Sequence, residues 1–398
     1  MKRSWWLIIS LVLLLVLSVV GACAKPAPVT GPGTPQVAPE PRDETSPGKE
    51  LTVEAWEIGD NWIYSQQSIK GDIMVGITKR SITTYNLRSR EKELVYELPV
   101  DRQVYDAPAI DGNRVIWASV DRDEAEQQRS LKRAPMPNYD VFLLDLDTSE
   151  VRQITTEEHA QMCPRIYGDT IVWLDSRYEV EYHNPRHYDV YAYDLSTSKE
   201  KRLTSATTAD GTDLSINGNM VVWADSRHAD PEVKIHAGNE PDYNNDIYLY
   251  DLTTGREKHI TSYPGNDRHP DIDGNRIVWL RQEDYIRADV FVYDLETGKE
   301  LRVSNSRFAD YQPSIYENRI VWVDARVSQG NTSGDTVING RQGQTDIYLY
   351  DLETQREMKL TSTVPGQVLL NPLIFEDFVV YERIGVLERI AYAVDLTQ

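Results

Sequence analysis

The strongest constraint on this chain is self-similarity: one sentence of residues returns seven times between positions 51 and 398. One copy reads Pro164-Arg165-Ile166-Tyr167-Gly168-Asp169-Thr170-Ile171-Val172-Trp173-Leu174-Asp175. It resumes after an insert as Asp189-Val190-Tyr191-Ala192-Tyr193-Asp194-Leu195 and closes on Leu203-Thr204. The same pattern surrounds Trp117, Trp223, Trp279 and Trp322, and in weaker outer copies Gly76 and Tyr381 take the Trp position. The copies are spaced by 41 to 59 residues. A unit of that size cannot bury its own apolar faces, so it must stack on its neighbours.

Each copy reads as four short strands. Two-residue turns such as Gly112-Asn113, Gly218-Asn219 and Gly274-Asn275 separate the first two, and Gly-Asn is a strong hairpin signal. The third strand places large apolar side chains at alternating positions on both sheet faces, so both faces are expected to be buried. Four-stranded sheets packed face to face around an axis achieve this with few exposed edges. The expected fold is all-β, a seven-bladed β-propeller over residues 51–398; degeneracy of the outer copies leaves six or eight blades open. The last copy reaches Asp395-Leu396 with no fourth strand, while Gly48-Lys49-Glu50-Leu51-Thr52-Val53 resembles the fourth strand Gly298-Lys299-Glu300-Leu301-Arg302-Val303. An N-terminal strand is therefore expected to complete the last blade. The 23 Tyr and 9 Trp against 5 Phe suit pleated strands.

Ahead of the repeats, Lys2 and Arg3 precede an apolar run from Trp5 to Ala22, a secretory pattern. Seven prolines between 24 and 50 then mark an extended tether. The chain carries 63 acidic against 42 basic residues, a formal net charge of -21. That balance argues against nucleic-acid binding and against adhesion to an anionic membrane through a basic patch.

Units such as Asp346-Ile347-Tyr348-Leu349-Tyr350-Asp351-Leu352, closing on Leu360-Thr361, resemble the TolB-type, WD40-like propeller repeats of bacterial envelope proteins. Val20-Gly21-Ala22-Cys23 resembles a lipobox, in which Cys23 would become the lipidated first residue. Together they imply a lipoprotein signal peptide over 1–22, a lipidated Cys23 with linker over 23–50, and a propeller held outside the cytoplasm. Membrane attachment would then be through the lipid anchor only, on the periplasmic or extracellular side of a bacterial envelope. The resemblance departs from TolB proper where Ile272-Asp273-Gly274-Asn275-Arg276-Ile277-Val278-Trp279 replaces its Trp-Ser-Pro-Asp-Gly core. The small α/β domain ahead of the TolB propeller also has no counterpart. TolB's own role in the Tol–Pal system therefore does not carry over.

Strand order puts the two-to-three and four-to-one loops on one side, where every long insertion falls, at 119–138, 178–188, 228–245 and 327–345. Elaborated loops on a rigid scaffold are where function concentrates. This face collects His159, His183, His187, His228, His236 and His269 as binding-face candidates, with 19 acidic against 11 basic residues in its loops. Imidazole and carboxylate suit transition metals, which makes His183, His187, His228 and His269 the metal candidates. Similar repeats occur in metal-dependent pectin-degrading lyases, so the alternative function is a metal-dependent polysaccharide lyase or hydrolase using a divalent metal. No His-Glu-x-x-His spacing, Gly-x-Ser-x-Gly elbow or phosphate loop is present. The leading expectation is therefore a monomeric module that binds or assembles envelope protein or glycan, without catalytic residues or cofactor.

The triplets Asp175-Ser176-Arg177, Asp225-Ser226-Arg227 and Asp324-Ala325-Arg326 end second strands opposite Asp189, Asp246 and Asp346. A device copied around a ring reads as structural, with each Arg fork between carboxylates. The column Trp117, Trp173, Trp223, Trp279 and Trp322 likewise reads as packing between blades. Trp56 and Trp62, outside the repeat, are better candidates for exposed aromatics than the column. Cys163, before Pro164, reads as a small packed residue.

Overall fold

The alternating strands bury both faces by forming seven four-stranded antiparallel sheets, each packed on the next. The computed structural model describes residues 49–50, 54–60, 62, 64–65, 67–78, 80–104, 106–129, 137–178, 188–204, 209–228, 244–283, 287–306, 309–325, 344–364, 367–385 and 389–397. The signal peptide, Cys23, nearly all of the linker, His183, His187, His236 and Arg326 lie outside them.

Blade one is built from Ile69–Lys70, Ile73–Thr78, Ser81–Asn86 and Lys92–Glu97. Blade two splits its first strand into Arg102–Val104 and Ala109–Asp111, then uses Arg114–Asp121, Asp140–Asp145 and Val151–Gln153. Blade three runs Gln161–Tyr167, Thr170–Asp175, Asp189–Asp194, Lys199–Arg202, and blade four Ala209–Asn217, Met220–Asp225, Asp246–Asp251, Arg256–His259. Blade five is Asn266–Asp273, Arg276–Gln282, Ala288–Asp294, Lys299–Arg302, and blade six Asp310–Tyr316, Arg319–Asp324, Asp346–Asp351, Arg356–Lys359. Blade seven supplies Val368–Phe375, Phe378–Ile384 and Arg389–Asp395. A helix, Arg122–Arg129, occupies part of the first long insertion, where no helix is expected from the sequence; Asp121 caps it by accepting from the Asp123 and Glu124 amides.

An N-terminal strand completes blade seven, but it lies downstream of the segment singled out by sequence. Ala55–Asp60 pairs antiparallel with Arg389–Asp395, placing Trp56 opposite Ala393. Lys49 and Glu50 pair instead in parallel with Met358 and Lys359, adding a fifth strand to blade six. The Gly48–Val53 likeness to a fourth strand thus marks a segment that seats on the neighbouring blade.

Between blades the five tryptophans are wholly buried, each stacked on the aromatic across from it in the third strand. Trp173 lies 5.9 Å from Tyr191, Trp223 6.0 Å from Tyr248 and Trp322 6.0 Å from Tyr348. Tyr381 repeats the arrangement with Tyr392 at 5.8 Å. Blade one solves the same problem differently. Trp62 is only 1% exposed, so it is not a surface aromatic. Its ring lies over Gly76, where an added Cβ would meet the indole at 2.2 Å. The indole missing from position 76 is supplied from position 62, and Trp62 joins the core shared by blades seven and one with Ile58, Tyr64, Met74, Leu373 and Phe378. Trp56 is half-buried, edge-on to Phe378. Cys163 is buried as expected.

The closing Leu-Thr of each copy has a local cause. Thr204, Thr261 and Thr361 accept the amides of Val190, Ile247 and Ile347 at the start of the third strand, in the place of a ladder carbonyl.

Candidate functional site

The two faces of the ring differ in what their connections are made of. First and second strands are joined by two-residue turns between Tyr167 and Thr170, Asn217 and Met220, Asp273 and Arg276, and Tyr316 and Arg319. Arginines beside these turns bridge to the next blade. Arg114 donates to Gly168 and Asp169, Arg276 to Glu317 and Asn318, and Arg319 to Glu376 and Asp377. That face is tied into the ring. The connections from Asp121 to Asp140, Asp175 to Asp189, Asp225 to Asp246 and Asp324 to Asp346 are the long ones, and all leave from the opposite face.

In blades three and four the Asp-x-Arg triplet builds a bracket within the blade. Asp175 accepts from Nε1 of Trp173 at 3.0 Å and from the Arg177 amide and guanidinium at 2.7–2.9 Å, while Arg177 Nη1 reaches Glu200 of the fourth strand at 2.9 Å. Arg227 repeats this between Asp225 and Glu257, its guanidinium 4.3 Å above the Tyr248 ring. Burial alone would raise the Asp225 carboxyl, but the Arg227 hydrogen bonds outweigh it and hold it below the ordinary carboxylate range. Asp324 is fully buried in the same slot.

Blade five has no triplet and reaches the same end with the charges moved. Arg281 stands two residues after Trp279, where blade three has Asp175 two residues after Trp173. It forks onto Asp267 across the hairpin at 2.8 and 2.9 Å, holds Glu300 at 2.7 Å and lies over Phe291. Asp267 and Arg281 are both buried and belong to the scaffold.

Among the described residues, the aspartates that open the third strands do not take Arg177 or Arg227. They pair with a cation from the fourth strand: Asp189 with Arg202 at 2.6 Å, Asp289 with Arg302 at 2.5 Å, Asp346 with Lys359 at 2.9 Å. In blade four that slot is His259, whose Nε2 donates to Asp246 at 2.8 Å. Asp246 is 4% exposed; burial pushes its carboxyl up, against the pull of His259. His228, next after Arg227 and exposed, shares a hydrogen bond through Nδ1 with the Tyr248 hydroxyl. Its ring lies 5.3 Å from that of His259. One ligand atom each from His228, Asp246 and His259 falls within 4.8 Å of the others, the one such group of three among the described residues.

The other two described histidines do not join it. His159 is exposed in the connection leading to blade three. His269 sits in the innermost strand of blade five with φ 53°, at the bulge before Pro270, a place taken by Cys163, Gln312 and Asn371 in blades three, six and seven. Of the four metal candidates His228 lies in the cluster and His269 does not, while His183 and His187 lie outside the described residues. His259, a fourth-strand residue outside those candidates, is the cluster's other imidazole. Aligning the fourth-strand slot (Arg202, His259, Arg302, Lys359) is the signal that could have found it.

At the axis, all seven innermost strands line a cavity of about 60 Å³ walled by Ile110, Ile166, Ile216, Ile272, Ile315 and Ile374. Gln67 crosses toward it, donating to the Ile216 carbonyl and accepting from the Ile166 amide. Asp271 is buried in its wall, accepting from Ser215 at 2.9 Å and from the Ile272 and Ile315 amides. Burial pushes its carboxyl up to about 6, those hydrogen bonds opposing. Its protonation therefore adds stability that is full below the unfolded pKa and is lost as pH rises through about 6. A shift of this size corresponds to roughly 2–3 kcal/mol. Asp289 is raised to about 6 by burial as well, against Arg302. The carboxyls lowered by turn hydrogen bonds, such as Asp194 and Asp251, titrate below this window. We expect Asp271→Asn to flatten the rise in melting temperature between pH 7.5 and 4.5; profiles parallel to the unsubstituted chain would show that Asp271 does not titrate there.

No protein-family model and no curated protein sequence matches this chain. Solved structures do. The β-propeller domain of the Trilobed protease from Pyrococcus furiosus is 12% identical, with a TM-score of 0.54, covering 84% of this chain and 96% of that one. An oligogalacturonate lyase from Vibrio parahaemolyticus is 11% identical, TM-score 0.50, covering 88% and 98%. TolB from Acinetobacter baumannii is 14% identical, TM-score 0.41, covering 81% and 78%. The chain is a seven-bladed β-propeller. Identities this low tie it to the other propellers by fold alone. Among the described residues no helix is long and apolar enough to cross a membrane.

Proposed function

We propose that this chain is an extracytoplasmic, lipid-anchored propeller that binds a protein or glycan of the cell envelope through its long-loop face. The carrying observation is the segregation of connections: the four long ones share a face, and the arginines beside the opposite turns are spent on bridges between blades. The narrow axial cavity with Gln67 beside it favours a surface role over chemistry at the axis. The lipobox-like Val20-Gly21-Ala22-Cys23 and the proline-rich stretch after it support tethering. The acidic excess of the loops favours a neutral or cationic partner surface.

The test is site-specific photo-crosslinking in envelope preparations from positions on each face. A partner captured from the loop face, and lost when 229–243 and 327–343 are replaced by short Gly-Ser linkers, is the expected result. Equal capture from both faces, or capture indifferent to the loops, would sink the reading. Cys23→Ser should move the chain from the detergent phase to the aqueous phase on phase separation; retention in detergent would rule out anchoring at Cys23.

A further inference from the structure

We propose that His228, Asp246 and His259 form a binding site for a divalent transition-metal ion on the loop face of blade four. The argument is a comparison of the blades with one another. In blade three the residue after the triplet is Tyr178 and the fourth-strand slot is Arg202, whose guanidinium lies 4.2 Å over the Tyr178 ring while bonding Asp189. This is a closed scaffold pair: an aromatic lid, a fixed cation and a carboxylate. Blade four changes both partners to histidine and keeps the carboxylate. Two neutral imidazoles and one carboxylate are the donor set that transition metals take, where a guanidinium can ligate nothing.

A second observation concerns the carboxylate. In blades three, five and six the second oxygen of this Asp has a donor. Asp189 accepts from Thr204 at 3.1 Å, Asp289 from the Ser306 amide at 3.0 Å, and Asp346 from Thr361 at 3.1 Å and the Thr363 amide at 2.8 Å. In blade four, Oδ1 of Asp246 is buried with no hydrogen-bond partner among the described residues. A buried carboxylate oxygen left unpaired is costly, and a cation ligated there satisfies it.

The surroundings fit. Tyr248 stacks on His259 at 4.6 Å and holds His228 through its hydroxyl, so one side chain orients both imidazoles, as groups behind metal ligands do. Asp246 is buried, His259 half-buried and His228 exposed, which leaves the solvent side open for water or a partner's donor group. For Nε2 of His259 to ligate, the ring proton must sit on Nδ1 and the hydrogen bond to Asp246 gives way to the metal. The site stands independently of which partner the loop face binds.

The test uses the untagged full-length chain, stripped with chelator, and ZnCl2 as the probe in calorimetric titration. Substitution of Co2+ for Zn2+ reports ligand geometry through visible absorption. The decisive variant is His228→Tyr with His259→Arg, which installs the blade-three pair and so preserves a combination the fold already uses. We expect it to lose one Zn2+ per chain, with affinity at that site falling at least about 100-fold, and to lose the Co2+ band. Asp246→Asn, read the same way, covers failure of the double variant to fold. No Zn2+ uptake by the unsubstituted chain, or equal uptake by the variants, overturns the proposal; zinc held through His183 and His187 would give the second outcome.

Discussion

Trp62→Ala is expected to lower stability by about 3–5 kcal/mol, the cost of deleting a large buried aromatic, although position 62 lies outside every repeat. The indole is the shared core of the first and last blades, packed with Tyr85, Met74 and Phe378 and seated on a glycine. Its removal opens a cavity at the seam of the ring. Gly76→Ala should destabilise by about 1–3 kcal/mol through overpacking, because its Cβ would fall 2.2 Å from the indole. The two changes should be strongly non-additive: with the indole gone, the methyl group meets nothing. Equilibrium denaturation of the single and double variants measures this coupling. Additive effects would mean that Trp62 does not fill the space over Gly76.

Arg281→Ala is expected to cost about 3–5 kcal/mol, because it strands a buried charge. Asp267 is 0% exposed, and Arg281 supplies its bidentate guanidinium contact. Arg281→Lys should recover only part of the loss, since an ammonium cannot fork onto Asp267 while holding Glu300. The double change Arg281→Met with Asp267→Leu removes both charges and should restore most of the stability, as buried pairs replaced by apolar residues often do. Denaturant midpoints of the four proteins decide this. A double variant no more stable than Arg281→Ala would show that the loss is one of packing over Phe291 and Trp279, and not of charge.

These two sites also mark where sequence reading stops. Blade count, strand order, hairpin turns and the buried Trp column were legible because each is a local pattern repeated at a fixed place. The closing strand was legible in kind but misplaced. Gly48–Val53 has fourth-strand character and uses it, at Lys49 and Glu50, on blade six, and pairing partners so far apart in sequence leave no mark in either segment. Trp62 was misread because spacing says nothing about a side chain that fills another position's vacancy. Arg281 was missed because the bracket is defined by where a guanidinium ends up, over the third-strand aromatic and beside Glu200, Glu257 or Glu300. Two different sequence positions reach that place. The histidine cluster was half legible: His228 stood out in a loop, whereas His259 was hidden as a strand residue until its slot was compared with Arg202, Arg302 and Lys359.

The closing strand has a consequence for how the molecule comes into being. Ala55–Asp60 is among the first parts of the ring to be synthesised, yet its partner Arg389–Asp395 is the last strand of the propeller. During synthesis the early segment waits unpaired while six blades are made, and blade seven carries an open edge until it returns. Pairing across nearly the whole propeller is slow to form, and an open edge invites association with other chains. Ring closure is thus the step at which folding should be slowest and aggregation most competitive. A chain impaired in the 55–62 segment should fail there first, in yield before it fails in any function of the finished ring.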